Sequence, residues 1–148
     1  MENVRDLFQI MTRRFGFLNK NCCTLGGFNI TLNQSHILYE IDRQHQPSIQ
    51  QIADTLGTDI TTFSRQIQTM IKMNLVKKKP DTADRRIFIL SLTTEGKFVA
   101  TMIDEQMKMY FDEIFSHMSE SDKETVLQSI QLLNKTMATS GSCCVPPQ

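Results

Sequence analysis

The stretch from Ser48 to Thr93, SIQQIADTLGTDITTFSRQIQTMIKMNLVKKKPDTADRRIFILSLT, permits few folds, because it runs two helices and a hairpin together without a break. Ser48 is suited to capping a helix, and Gln51 stands three residues on, where hydroxyl and amide satisfy each other's backbone donors. Ile49, Ile52, Ala53 and Leu56 then recur at helical spacing, and Gly57 ends the run where a left-handed residue is needed. Asp59 is placed to cap the next helix, whose inward stripe is predicted to be Ile60, Phe63, Ile67 and Met70 or Ile71. Its other face carries Thr61, Thr62, Ser64, Arg65 and Gln68, short polar groups around one guanidinium. This is a helix-turn-helix pattern, with a second helix suited to base edges and phosphates.

The residues that follow add a hairpin. Val76 to Lys79 is a short basic strand containing Lys77, Lys78 and Lys79. Ile87 to Leu92 is another, with Phe88, Leu90 and Leu92 on one face and Ile87 and Ile89 on the other. The Pro-Asp-Thr-Ala-Asp-Arg-Arg segment between them forms a turn with Arg85 and Arg86 at its tip. Asp84 beside them can fix an arginine by charge-assisted hydrogen bonding. A basic-tipped hairpin after a helix-turn-helix is a wing.

The charge distribution follows this division. The formal net charge is zero, but residues 58–92 hold seven basic residues against three acidic, a net of +4. Residues 93–148 hold four basic against eight acidic, a net of −4, and residues 1–57 balance at five of each. Positive charge is therefore concentrated on the helix-turn-helix and wing, where a phosphate backbone would lie. A solvated wing face is the plainer explanation of the charge alone.

Here the chain resembles a known family. Asp84-Arg85-Arg86, three further residues, then Leu90-Ser91-Leu92-Thr93 and Gly96 are similar to the wing signature of MarR-type transcriptional regulators. Leu56-Gly57 followed by Thr61, Thr62, Ser64 and Arg65 resembles that family's recognition helix, and the flanking helices fit in order and length over about residues 4 to 138. The resemblance implies a mainly α fold with a small β-hairpin wing, a winged helix-turn-helix joined to a helical dimerisation layer. It further implies a twofold homodimer on a near-palindromic double-stranded DNA operator, with two recognition helices in successive major grooves. A cleft for aromatic or phenolic ligands between the dimer layer and the winged helix is also implied.

The flanks agree with that expectation. Val4, Leu7 or Phe8, Met11, Phe15 and Leu18 form a helical stripe, and Gly26-Gly27 marks a turn. A second helix is expected from Thr31, with Leu32, Ile37, Leu38 and Ile41 inward, ending before Pro47. Thr93 caps a long helix to about Met118, with Val99, Ile103, Met107, Tyr110, Ile114 and Met118 in line and Phe98, Met102, Phe111 and Phe115 widening the stripe. Ser119 caps a last helix with Val126, Ile130, Leu133 and Met137 on one side. So much apolar surface exceeds what one winged helix covers. Residues 1–30 and 93–140 are accordingly read as the dimerisation region, 31–92 as the winged helix-turn-helix and 141–148 as a flexible cysteine-containing tail. The alternative is a monomer whose terminal helices pad its own core.

Four cysteines fall in two adjacent pairs, Cys22-Cys23 and Cys143-Cys144. No secretory signal and no membrane span is visible, so a cytoplasmic setting with reduced thiols is expected. Paired thiolates suit a soft metal or metalloid ion as an effector, with no cofactor otherwise required. A reversible oxidation switch through the same thiols, or no sensory role, are the alternatives. His36 and His117 could join acids in a zinc site, although no close ligand spacing supports it. Catalytic signatures such as C-x-x-C, a phosphate-binding glycine loop or H-E-x-x-H are absent from the sequence, so no enzyme activity is expected. Two other classes remain open: a winged helix used in protein assembly, and a thiol carrier of metal ions.

Overall fold

The structure, a computed structural model, describes residues 3–15, 24–25 and 28–140. Helix α1 (Val4–Arg14) starts from Asn3, whose side chain accepts from the Arg5 N–H, and its apolar stripe of Val4, Leu7, Met11 and the following Phe15 is exposed. Leu18 and Gly26-Gly27 lie outside the described residues. Strands β1 (Thr24–Leu25) and β2 (Phe28–Asn29) pair antiparallel, a short ladder that the glycine doublet had suggested only as a turn.

Three helices and a hairpin then build the core. Helix α2 (Leu32–Arg43) begins with a reciprocal capping box between Thr31 and Gln34. Helix α3 (Ile49–Leu56) begins with another between Ser48 and Gln51, and Gly57 closes it at φ 65°. Helix α4 (Ile60–Lys72) starts at Asp59, whose carboxylate accepts from the Thr62 N–H at 3.0 Å. Ile37, Leu38, Ile41, Ile52, Ala53, Phe63, Ile67 and Met70 are all buried together with Leu75, Val76, Leu90 and Val99. Two residues assigned to inward stripes are not part of this core. Leu32 is 47% exposed and Ile60 is 42% exposed, because each is the first residue of its helix and projects beyond the neighbours that cover the rest of the stripe.

The wing is strands β3 (Val76–Pro80) and β4 (Phe88–Leu92), antiparallel with Lys78 opposite Leu90. Ile87 is not in the strand. It closes the turn instead, its carbonyl accepting from the Asp81 N–H and its own N–H donating to the Asp84 carbonyl. On the other edge of β4, Leu90 donates to the Pro47 carbonyl at 2.8 Å and Ser48 bridges Ile89, so the α2–α3 connection acts as a third short strand. That connection satisfies backbone groups β4 would otherwise leave open, and it ties the wing to the start of α3.

Helix α5 (Thr94–Ser116) is anchored on the hairpin at its first turn. The Thr93 hydroxyl accepts from the Gly96 N–H at 2.9 Å and donates to the Asn74 carbonyl at 2.6 Å, while Thr93 N–H donates to the Leu75 carbonyl. Gly96 sits directly against that Leu75 carbonyl, where no side chain fits. Lys97 reaches Asp42 at the end of α2, 2.6 Å away, which adds a long-range ion pair to this junction. Val99 and Ile103 are buried, but Phe98 is 56% exposed and does not widen the buried stripe.

The chain divides into two compact units between Met107 and Lys108, within α5. In the second, Phe111 and Phe115 stack at 6.3 Å, and helix α6 (Glu120–Ser140) starts from Ser119, whose hydroxyl accepts from the Asp122 N–H. No residue of α6 is buried, and Ile130, Leu133 and Met137 are exposed along one side. No helix among the described residues is long and apolar enough to cross a membrane.

Candidate nucleic-acid interface

Helix α4 owes its position to Phe63, Ile67 and Met70, which recur at helical spacing and fix which arc of the helix stays outside. That arc presents Thr61, Thr62, Arg65 and Gln68 as exposed residues, with Ser64 half-buried among them. Ile60, Thr61, Ser64, Arg65 and Gln68 together line a shallow depression on the helix surface. The Asp59 carboxylate at the helix start bonds the Thr62 hydroxyl and backbone, and these bonds hold its pKa below the usual carboxylate value. It stays ionised as the cap, which keeps the leading turn of α4 formed.

At the wing tip, the arginine that Asp84 was expected to fix is Arg86, and the pairing has a defined geometry. Arg86 donates from Nε to one carboxylate oxygen and from Nη2 to the other, both at 3.1 Å, and its backbone N–H adds a third bond at 3.0 Å. The side-chain bonds come first among the causes that lower the Asp84 pKa from its ordinary value, and the backbone bond adds to them. Two parallel N–H···O bonds define the plane of the guanidinium, which a single contact would leave free to rotate. Arg86 keeps 90% of its side chain exposed, so the pose is set while the cation still faces solvent. Arg85 is also exposed.

The three lysines of β3 do not form one group. Alternation along a strand puts Lys78 on the face shared with Val76 and Leu90, and Lys77 and Lys79 on the opposite face. Lys78 Nζ lies 4.7 Å from the centroid of the Phe88 ring, its diagonal neighbour across the ladder. Lys79 instead borders a cleft of about 220 Å³ with Asp42, His45, Pro47, Ile89 and Ser91. Sequence reasoning missed the exposure of Ile60 and the ring beneath Lys78. The second was visible in outline, since a diagonal Lys–Phe pair follows once the hairpin register is known.

Among the described residues, no group of three or more His, Cys, Asp or Glu is placed to hold a metal ion. His117 lies 3.2 Å from Glu113 on the exposed side of the second unit. Cys22, Cys23, Cys143 and Cys144 lie outside the described residues.

A capped helix pair of this kind, with a basic two-stranded wing sewn to the start of its first helix, defines a winged helix-turn-helix protein. The MarR family model matches residues 30–88, which run from α2 to the first residue of β4. The HTH-type transcriptional regulator TcaR of Staphylococcus aureus (strain Newman) is 26% identical over 114 residues, 76% of this chain and 75% of TcaR. Among solved structures, Streptococcus pneumoniae FabT in complex with DNA aligns with a TM-score of 0.81 at 16% identity, over 90% of this chain and 94% of FabT. The S. aureus MepR–DNA complex aligns at 0.77 with 20% identity, over 92% and 99%. Residues 30–88 thus match the MarR family model, and the fold of the chain is that of winged helix-turn-helix structures such as FabT and MepR.

Proposed function

We propose that this protein is a cytoplasmic homodimeric repressor that occupies a pseudo-palindromic operator and leaves it when a chemical signal reshapes the dimer. The observation that carries the reading is the exposed polar face of α4 beside a wing whose Arg86 is held in plane by Asp84. In this reading Thr61, Thr62, Ser64, Arg65 and Gln68 enter the major groove, and Arg85 and Arg86 meet the minor groove or its phosphates. Lys77, Lys78 and Lys79 neutralise phosphate, from both faces of the wing. FabT and MepR have been crystallised with DNA, and CouR with a 23-mer duplex, which supports duplex DNA as the partner here. The exposed apolar sides of α1 and α6, Val4, Leu7 and Met11 on one and Ile130, Leu133 and Met137 on the other, support a second copy of the chain as their cover.

The test separates base reading from charge. Duplexes bound by the full chain are selected from a random library, and affinity is then measured for a selected and a scrambled duplex. Arg65→Ala is expected to reduce the preference for the selected duplex, while Lys78→Ala weakens both alike. Proportional loss in both variants would remove Arg65 from the reading face.

For the signal, we propose a soft metal or metalloid ion held by Cys22, Cys23, Cys143 and Cys144, a reading that rests on the doubled cysteines of the sequence. A coupling of about 1–3 kcal/mol would change operator affinity roughly 5- to 150-fold. Reduced protein is expected to release its selected duplex on addition of arsenite, zinc, cadmium or copper(I), and a variant with all four cysteines changed to serine is not. Release by peroxide alone, reversed by a reductant, would move the assignment to thiol oxidation.

A further inference from the structure

We propose that Ile60 is a specificity-determining residue that recognises the 5-methyl group of one thymine in each half-site. The inference rests on the DNA-binding reading above and goes beyond it, since the polar residues of α4 were the only base readers expected there. Periodicity alone would bury Ile60 with Phe63, Ile67 and Met70, yet those three are at most 1% exposed and Ile60 is 42% exposed. The reason is position. Ile60 is the first residue of α4, at the border between the buried stripe and the polar face, and it projects past the end of the core.

Its neighbours are what give that exposure a chemical meaning. Ile60 and Ser64 are four residues apart and Gln68 a further four, so the three follow one another along the helix surface. Thr61 and Arg65 flank them, and all five line the same shallow depression. The leading turn of a recognition helix is the part that reaches base edges in a helix-turn-helix complex. Thymine presents in the major groove an acceptor, O4, beside an apolar methyl group, and cytosine presents a donor with no methyl. An aliphatic side chain set among hydroxyl, amide and guanidinium donors is the complement of the thymine edge and not of the cytosine edge. Asp59, bonded to Thr62 on the same turn, keeps the helix start ordered so that Ile60 is delivered at a fixed height.

The experiment uses the full chain and duplexes it selects from a random library, with each thymine replaced in turn by deoxyuridine, which removes only the methyl. One thymine per half-site is expected to lower wild-type affinity about fourfold when its methyl is removed, the effect of burying one such group. Ile60→Ala should bind the thymine duplex about as weakly as the wild type binds the uracil duplex, and should no longer distinguish the two. Ile60→Val, which keeps the branch, should retain part of the discrimination. Thermal melting of both variants beside the wild type confirms that a half-exposed position has been changed without unfolding the chain. Equal methyl sensitivity in wild type and Ile60→Ala, or no methyl-sensitive thymine at all, overturns the assignment while leaving DNA binding intact. A library from which no duplex is enriched overturns the DNA-binding reading itself, and the assignment with it.

Discussion

Gly96→Ala sets two physical arguments against each other with opposite signs. Gly96 lies in the first turn of a helix, where alanine is preferred over glycine by up to about 1 kcal/mol, so propensity alone predicts a more stable protein. The structure predicts a loss. A Cβ at Gly96 would overlap the Leu75 carbonyl oxygen, a backbone atom of a residue with 0% exposure that cannot swing aside as a side-chain tip would. Overpacking a buried contact costs about 1–3 kcal/mol. Moving the Leu75 carbonyl also strains the 3.0 Å bond it receives from Thr93, worth a further ~1 kcal/mol. After subtracting propensity the net loss is about 2 kcal/mol, or roughly 4–8 °C in Tm for a chain of this size. Gly96→Ser should lose as much, because it introduces the same Cβ. Gly57 is the control: its φ is 65° with open space around it, so Gly57→Ala is penalised by conformation and Gly57→Asn recovers most of that penalty. Thermal unfolding of all four variants at one protein concentration measures these differences, the fixed concentration being needed because association shifts Tm. A Gly96→Ala protein as stable as the wild type would refute the packing argument.

The remaining expectations concern DNA binding and assembly. Arg86→Ala should weaken binding to a selected duplex and reduce the slope of log affinity against log salt by up to about one, as read from titrations across a salt series; an unchanged affinity and slope would place the wing tip away from DNA. Ile130→Glu puts a charge on the exposed apolar side of α6, where burial against a second copy would cost several kcal/mol, on the order of the penalty for an unpaired polar group. If the proposed dimer is present, sedimentation should show it lost and binding to a selected duplex lost with it, and a DNA-competent Ile130→Glu dimer would take Ile130 out of the interface.

Local chemistry made much of this protein legible from its sequence. Ser48 with Gln51, Asp59, Thr93 and Ser119 each start a helix where their side chains suggested, and α2 begins after Thr31 as expected. A cap involves residues two or three apart, so its partners are already present in a short sequence window. Gly57 ends α3 for the same reason, and Asp84 pairs with Arg86 two residues away. What the tertiary structure alone decided involves groups far apart in the chain. Periodicity assigned Leu32 and Ile60 to an inward face, but burial also requires a neighbour at that height, and none covers the first residue of either helix. Phe98 is exposed on the same account, while Val99 beside it is fully buried. The run Lys77-Lys78-Lys79 reads as one basic patch until pairing with β4 sends Lys78 to the face of Leu90 and Phe88 and the other two to the opposite side. Gly96 resembled part of a signature with no stated cause until the fold brought the Leu75 carbonyl against it. Backbone geometry can determine which way a residue points, but only the assembled core determines what it meets there.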